Sequence, residues 1–204
     1  PDVIYAAKEV CRGMSAPTDL HQAALKRMTR YLRSRPRLVF RFDYQSADHI
    51  DVYADTDWAG CPRSRRSTSG GCIMVGKHLL KCWSSTQAGV AMSSGEAEFY
   101  SMVSATSEAL GLKAMLSDYH APLDPWLYVD ASAAIGVAQR TGLGKIRHLD
   151  TGTLWLQQAV KEKQIGLLKV KGTENPADLM TKFVDFATLD KMCNIMGLEV
   201  RGGR

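Results

Sequence analysis

Four acidic residues stand where the chain changes its local pattern: Asp55, Glu96, Asp130 and Asp178. Asp55 closes a strand-like run, His49-Ile50-Asp51-Val52-Tyr53-Ala54. Glu96 opens a long helical pattern. Asp130 ends Trp126-Leu127-Tyr128-Val129 ahead of Ala131-Ser132-Ala133-Ala134, and Asp178 lies in Asn175-Pro176-Ala177-Asp178. Carboxylates drawn from separate elements can hold two divalent cations roughly 3.5–4 Å apart, an arrangement that hydrolyses phosphodiesters. Oxygen ligands of this kind suit Mg²⁺ or Mn²⁺ rather than zinc.

Each acid also has a plainer explanation. Ser93-x-x-Glu96 fits a capping box. Asn175-Pro176-Ala177-Asp178 fits an Asn cap, a Pro at the first helical position and an acid in the first turn. Asp130 could cap the helix after it, and Asp55 could belong to a turn in Asp55-Thr56-Asp57. Asp57 and Glu98 are second acids beside Asp55 and Glu96, and spacing alone does not choose within either pair. The order and context of the four together favour a shared site.

The chain has 204 residues, 45% hydrophobic and 23% charged, a net charge of +5 and a pI near 9.0. That length suits one domain with an appendage, or two small ones. The basic balance suits a polyanionic partner. Lys26, Arg27, Arg30, Arg33, Arg35, Arg37 and Arg41 form one basic group, and Arg63, Arg65 and Arg66 another. Beside a phosphodiester-cutting site they read as nucleic-acid contacts; otherwise they are a solvated face. The five cysteines include no C-x-x-C pair, which argues against a disulfide framework or a structural zinc site and for reduced thiols in an intracellular protein. No apolar run approaches the length of a membrane span, and no signal peptide opens the chain. A start at Pro1 without Met fits a fragment or a processed product.

The elements that must position the acids follow from periodicity. Residues 1–35 read as helices broken at Ala16-Pro17-Thr18-Asp19, with Pro36 ending the second. Leu38–Phe42 is a short strand candidate, and a polar connector at Gln45–Asp48 suggests a division into residues 1–44 and 45–204. Three strands follow, at His49–Trp58, Gly70–Val75 and His78–Ser84, with a tight turn at Gly76-Lys77. A helix spans Ser93–Tyr119, a fourth strand Leu127–Val129 and a short helix Ala131–Gln139. Leu154–Lys163 is helical, Leu167–Lys171 is a fifth strand, and a last helix starts at Pro176. A meander followed by helical crossovers gives an α/β fold: a mixed five-stranded sheet with helices on both faces. Trp83 is expected in the core rather than stacked on a base. Ser84 and Ser85 lack an adjacent His or a G-x-S-x-G context, which excludes a serine hydrolase.

This order of elements and acids resembles the ribonuclease H fold. The local wording is narrower: Tyr53-Ala54-Asp55-Thr56-Asp57-Trp58-Ala59-Gly60, Arg65-Arg66-Ser67-Thr68-Ser69-Gly70, Trp83-Ser84-Ser85, Ser93-Ser94-Gly95-Glu96-Ala97-Glu98 and Asn175-Pro176-Ala177-Asp178-Leu179-Met180-Thr181-Lys182. These are similar to the ribonuclease H domain of Ty1/copia-type retrotransposon polyproteins, over residues 49–200. Pro1–Leu32 resembles the helical end of the preceding reverse transcriptase.

The resemblance implies metal-dependent endonucleolytic hydrolysis of the RNA strand of RNA–DNA hybrids during reverse transcription. Asp55, Glu96, Asp130 and Asp178 would hold two Mg²⁺ (or Mn²⁺) ions, one activating water and one stabilising the leaving 3′ oxygen. Ser93, Ser94 and Ser132 would lie near the RNA backbone, and Arg147 and His148 near a phosphate. The implied partners are the hybrid and the reverse transcriptase region of the same polyprotein, in a cytoplasmic particle or the nucleus, with no membrane. Two departures stand out. Cellular ribonucleases H often carry a His before the last Asp, where Lys171-Gly172-Thr173-Glu174 has Thr173. Arg147-His148-Leu149-Asp150 is followed by Thr151-Gly152-Thr153, a poor helix start. A noncatalytic scaffold of the same fold is the rival reading. A strand-transfer enzyme is disfavoured, because it usually carries its essential Glu on a later helix.

Overall fold

The structure, a computed structural model, describes residues 1–142, 144 and 151–202. The expectations for Arg147 and His148 therefore lie outside the described residues.

The chain opens with two helices, α1 (Ile4–Cys11) and α2 (Asp19–Ser34), and a short strand, β1 (Leu38–Phe40). Thr18 caps α2 by accepting the His21 N–H, and the His21 side chain returns a bond to the Thr18 backbone. A five-stranded sheet follows. β2 (His49–Asp57), β3 (Thr68–Val75) and β4 (His78–Thr86) form an antiparallel meander. β5 (Asp124–Val129) and β6 (Gly166–Lys169) join it in parallel, reached through α3 (Ser94–Asp118), α4 (Ser132–Gln139) and α5 (Trp155–Lys161). The strand order is β4-β3-β2-β5-β6, so β2 is central. That is the topology the ribonuclease H resemblance implies.

Alternation along the strands separates two cores. Ile50, Val52, Ala54 and Ile73 pack with Phe99, Met102, Ala105 and Ala109 of α3, with Leu127 and Val129 of β5, and with α4 and α5. Cys72 and Met74 point the other way, into a second cluster with Leu179, Met180, Met192 and Met196. Trp83 packs at the edge of the first core, as its sequence context suggests. The five cysteines are free thiols, three of them buried. No helix among the described residues is long and apolar enough to cross a membrane.

Two differences from the sequence expectation matter. The segment from Pro176 is not one helix. Pro176–Met180 is a 3₁₀ turn, and a separate helix, α6 (Phe186–Ile195), starts at Asp185, whose carboxylate accepts the Thr188 N–H at 2.9 Å. The intervening Thr181 and Lys182 turn toward the carboxylates of Asp55 and Asp178 instead of continuing a helix. A further strand, β7 (Leu198–Val200), follows Gly197, whose φ of +75° ends α6, and pairs antiparallel with β1. Residues 1–44 thus lie outside the five-stranded sheet but pack against the rest. Ile4 and Leu38 touch the second core, and β1 pairs with the last strand. Smaller shifts fall at element ends. β5 starts at Asp124 rather than Leu127, because Asp124, Pro125 and Trp126 pair with His49, Ile50 and Asp51 of β2. Pro125 is tolerated because it lies before the first β5–β6 pair, Trp126 with Gly166.

Candidate active site

Asp55 lies near the C-terminal end of the central strand, opposite Gly70 of β3. Asp130 directly follows β5, the parallel neighbour of β2. Strands that run side by side deliver both carboxyls to the same edge of the sheet. The third acid comes from α3, which is held against β2 by two buried bonds. Ser101 Oγ donates to the Asp55 carbonyl at 2.9 Å, and Thr56 Oγ1 donates to the Ala97 carbonyl at 3.2 Å.

The acid that α3 contributes is Glu98, not Glu96. Ligand oxygens of Asp55, Glu98 and Asp130 all lie within 4.8 Å of one another. Glu96 is buried, but its Oε2 accepts the Met92 N–H at 2.8 Å, and its own N–H donates to Ser93 Oγ at 3.2 Å. Glu96 therefore serves the helix start, as the plainer reading of Ser93-x-x-Glu96 allows. The reason is helical phase: Glu98, Ser101, Met102, Ala105 and Ala109 fall at i, i+3, i+4, i+7 and i+11, one stripe facing the sheet. Extending Met102, Ala105 and Ala109 toward the N-terminus reaches residue 98, a signal present in the sequence.

Asp178 comes from the 3₁₀ turn. Asn175 caps that turn by accepting the Ala177 N–H at 3.1 Å, while its Nδ2 donates to the Ala54 carbonyl at 3.0 Å. Lys182 then joins the two acids: its Nζ lies 2.9 Å from Asp178 Oδ1 and 3.5 Å from Asp55 Oδ2. The Thr181 hydroxyl also donates to Asp55 Oδ2. This approach requires Gly70, because a Cβ there would sit 2.5 Å from the Met180 Cβ and 2.7 Å from the Thr181 Cγ2.

The plain alternatives for the other acids are not realised in the same way. Asp130 does not cap α4, whose N-cap is Ala131 without a side-chain bond. Asp57 folds over Gly60, with its Oδ2 occupying the place a Cβ would take.

Burial, then neighbouring negative charge, raises the proton affinity of Glu98, Asp178 and Asp130. Burial, then the charges of Asp55 and Asp130, pushes the Glu98 carboxyl up to about 9, against the opposing pull of Lys182 and a Thr56 backbone bond. Burial and the Asp55 charge push Asp178 up to about 6, with Lys182 opposing. Asp130 is raised by the same two causes, and Asp57 by burial first. Like charges forced together in a low-dielectric site behave this way until a cation joins them. Glu98 Oε2 is buried without a hydrogen-bond partner, and Asp178 Oδ1 has an ion pair but no well-aligned hydrogen bond. Oxygen donors with unspent acceptor capacity fit Mg²⁺ or Mn²⁺.

The expected substrate contacts are dispersed around this group. Ser93 caps α3, Ser94 is exposed beside it, and Ser132 Oγ accepts from Lys169 Nζ at 2.6 Å. Lys169, Lys171, Gly172 and Thr173 line an open hollow with Asp130. The N-terminal helix reaches the start of β3, which pairs with the Asp55 end of β2. Lys8 Nζ donates to Thr68 Oγ1 at 2.7 Å, Arg12 donates to Cys61 Sγ, and Tyr5 meets the Phe183 ring edge-on at 4.9 Å. Lys26, Arg27, Arg30 and Arg33 are exposed on α2, as are Arg63, Arg65 and Arg66 in the loop after β2. Arg35 is tied to Asp190 at 2.8 Å and lies over the Phe186 ring, and Arg41 pairs with Asp43 and Glu199.

No protein-family model matches the chain. It is 29% identical over 185 residues to the retrovirus-related Pol polyprotein from transposon RE2 of Arabidopsis thaliana, covering 89% of this chain and 13% of that protein. It is 28% identical over 201 residues to the retrovirus-related Pol polyprotein from transposon TNT 1-94 of Nicotiana tabacum, covering 98% of this chain and 15% of that protein. A secreted RxLR effector protein, number 161 of Plasmopara viticola, is 37% identical over 112 residues, which are 55% of this chain and 79% of that protein. Among solved structures, the N-terminal ribonuclease H domain of rv2228c from Mycobacterium tuberculosis matches at 19% identity and a TM-score of 0.46, over 73% of this chain and 98% of that one. The chain thus spans a small part of the length of the polyproteins it matches.

Proposed function

We propose that this chain, which is similar over 89–98% of its length to retrovirus-related Pol polyproteins of plant transposons, is the ribonuclease H of such a polyprotein: a metal-dependent endonuclease that cuts the RNA strand of RNA–DNA hybrids during reverse transcription. One observation carries the reading. Asp55, Glu98 and Asp130 bring oxygens within 4.8 Å of one another at one end of the central strands, and Asp178 joins them through Lys182.

Asp55, Glu98 and Asp130 would hold one Mg²⁺ or Mn²⁺, and Asp55 with Asp178 a second. Bound there, such ions lower the pKa of an attacking water and stabilise the oxygen that leaves. The protein's own part is positional. Ser101 and Asn175 fix the backbone on both sides of the Asp55 side chain, so its carboxylate is held before substrate arrives. Burial and the charges of Asp55 and Asp130 raise the proton affinity of Glu98, so a cation held by these acids would compete there with a proton. Side-chain nucleophiles are not needed. The hybrid would be read by the shape of its backbone and its 2′-hydroxyls rather than by base identity. Ser94, Lys169, Lys171 and the exposed arginines are the groups available for the phosphates.

The alternative is a noncatalytic scaffold that binds hybrid or polymerase. It is favoured by the ion pairs of Lys182, which neutralise part of the acid group without a metal. An end-labelled RNA–DNA hybrid separates the two readings. The enzyme cuts its RNA strand only with Mg²⁺ or Mn²⁺ present and leaves duplex DNA whole. Binding without cleavage at any metal concentration identifies the scaffold.

A further inference from the structure

The acid group is not symmetric. On one side, Asp55, Glu98 and Asp130 converge; among the described residues no cationic side chain is ion-paired to Glu98 or Asp130, and Glu98 Oε2 is buried without a partner. On the other, the Nζ of Lys182 already lies between Asp55 and Asp178, at 3.5 and 2.9 Å. Lys182 is tethered there by the chain itself. Thr181, its neighbour, donates to Asp55 Oδ2, and Asp178 lies one helical turn back at i−4. Its side chain remains 43% exposed, so it can swing out without opening the core.

We propose that Lys182 is a built-in counter-cation that fills the Asp55–Asp178 half of the site and makes the two cation positions unequal. The Asp55–Glu98–Asp130 half accepts an ion with Lys182 in place. The Asp55–Asp178 half accepts one only when Lys182 has been displaced. Lys182 is thus a positioning residue: it keeps Asp178 beside Asp55 in the resting protein and sets the order in which ions load. The physical reason is charge. An ammonium about 3 Å from a carboxylate satisfies most of what a cation would offer there, and a second cation beside it would meet like-charge repulsion. This inference rests on the reading of the acids as a metal site.

Calorimetric titration of the full 204-residue chain with Mn²⁺ and Mg²⁺, without substrate, tests it. Wild-type protein should bind one ion per chain. Lys182→Met should bind two, or tighten the second by about tenfold or more, the scale on which one charge within 4–6 Å acts. Lys182→Arg, which keeps the charge, should bind one ion like wild type. Asp130→Asn serves as the control for the first position and should lose the first ion. Circular dichroism of each variant reports folding. If Lys182→Met titrates like wild type while Asp130→Asn loses its ion, the role of Lys182 is overturned and the metal site stands. The role is also overturned if wild type binds two equal ions, or if Lys182→Arg behaves like Lys182→Met. If Asp130→Asn leaves ion binding unchanged, the metal reading itself falls, and this inference with it.

Discussion

The Asn175 side chain donates to the Ala54 carbonyl across 121 positions of sequence, at 3.0 Å and in a fully buried setting. That bond fixes the start of the turn bearing Asp178 one residue before Asp55. Asn175 also caps the turn, so one amide orients Asp178 and anchors it to the central strand. An unpaired buried amide or carbonyl costs about 1–3 kcal/mol, which makes the position intolerant of apolar substitution.

The choice between the two glutamates can be tested directly. Glu98→Gln should reduce hybrid cleavage by about a hundredfold or more, as should Asp55→Asn and Asp130→Asn, because the charge that holds a cation is lost while the shape is kept. Glu96→Gln should retain cleavage and cost on the order of 1 kcal/mol of stability, the scale of the bond its Oε2 accepts from the Met92 N–H at the helix start. Cleavage kinetics beside urea unfolding read both quantities. Loss of cleavage in a well-folded Glu96→Gln protein, with Glu98→Gln active, would restore the assignment made from sequence.

The raised carboxyl of Glu98 predicts a pH dependence. Its folded pKa of about 9 lies above its ordinary value of 4.5, so the folded protein holds more protons between these limits than the unfolded chain. Stability from this group is full below about pH 4.5 and falls as pH rises toward 9. In EDTA, Glu98→Gln should therefore be more stable than wild type at pH 8, by on the order of 1–3 kcal/mol, and the advantage should vanish near pH 4.5. Added Mg²⁺ or Mn²⁺ should stabilise wild type more than the variant. Thermal unfolding at several pH values would show this, and a pH-independent difference would contradict it.

Gly70 should be sensitive to a single methyl. Gly70→Ala places a carbon 2.5 Å from the Met180 Cβ and 2.9 Å from its backbone carbonyl carbon. Neither can retreat without moving the turn that carries Asp178. A loss of about 1–3 kcal/mol is expected from overpacking, with cleavage falling further than stability alone explains. Equal cleavage at full folding would mean that the turn can shift without harm.

The exposed arginines of α2 offer a test of hybrid contact. Reversing Arg30 and Arg33 to Glu should weaken hybrid binding and flatten its dependence on salt, because each neutralised phosphate contributes to the slope. The carboxylates of the site should be unaffected. Deleting residues 1–44 is a poorer test, since it strips Ile4 and Leu38 from the second core and leaves β7 without β1. An unchanged salt slope in the double reversal would assign these charges to a solvated face.

Local pattern alone specified the sheet, and it placed Asp55 and Asp130 at strand ends. Alternation at Ile50, Val52 and Ala54, the turn at Gly76-Lys77 and the apolar stripe of α3 are local signals, and they specify strands, a hairpin and a helix without tertiary help. The convergence of Asp55 and Asp130 is legible because each lies at or near a strand's end, and a strand's end is written in its own neighbours. The placement of Glu98 beside Asp55 and Asp130 is obscured in the sequence because Ser93-x-x-Glu96 is itself a helix-start pattern and makes Glu96 the more conspicuous acid. The breakdown of the final helix was not legible, because Thr181 and Lys182 leave helical geometry for partners at Asp55, far away in sequence. The pairing of β1 with β7 was hidden for the same reason: a three-residue strand has too little pattern of its own, and its partner lies about 160 residues away. Local propensity settles which elements form. Only packing decides which acid faces the others and which lysine stands between them.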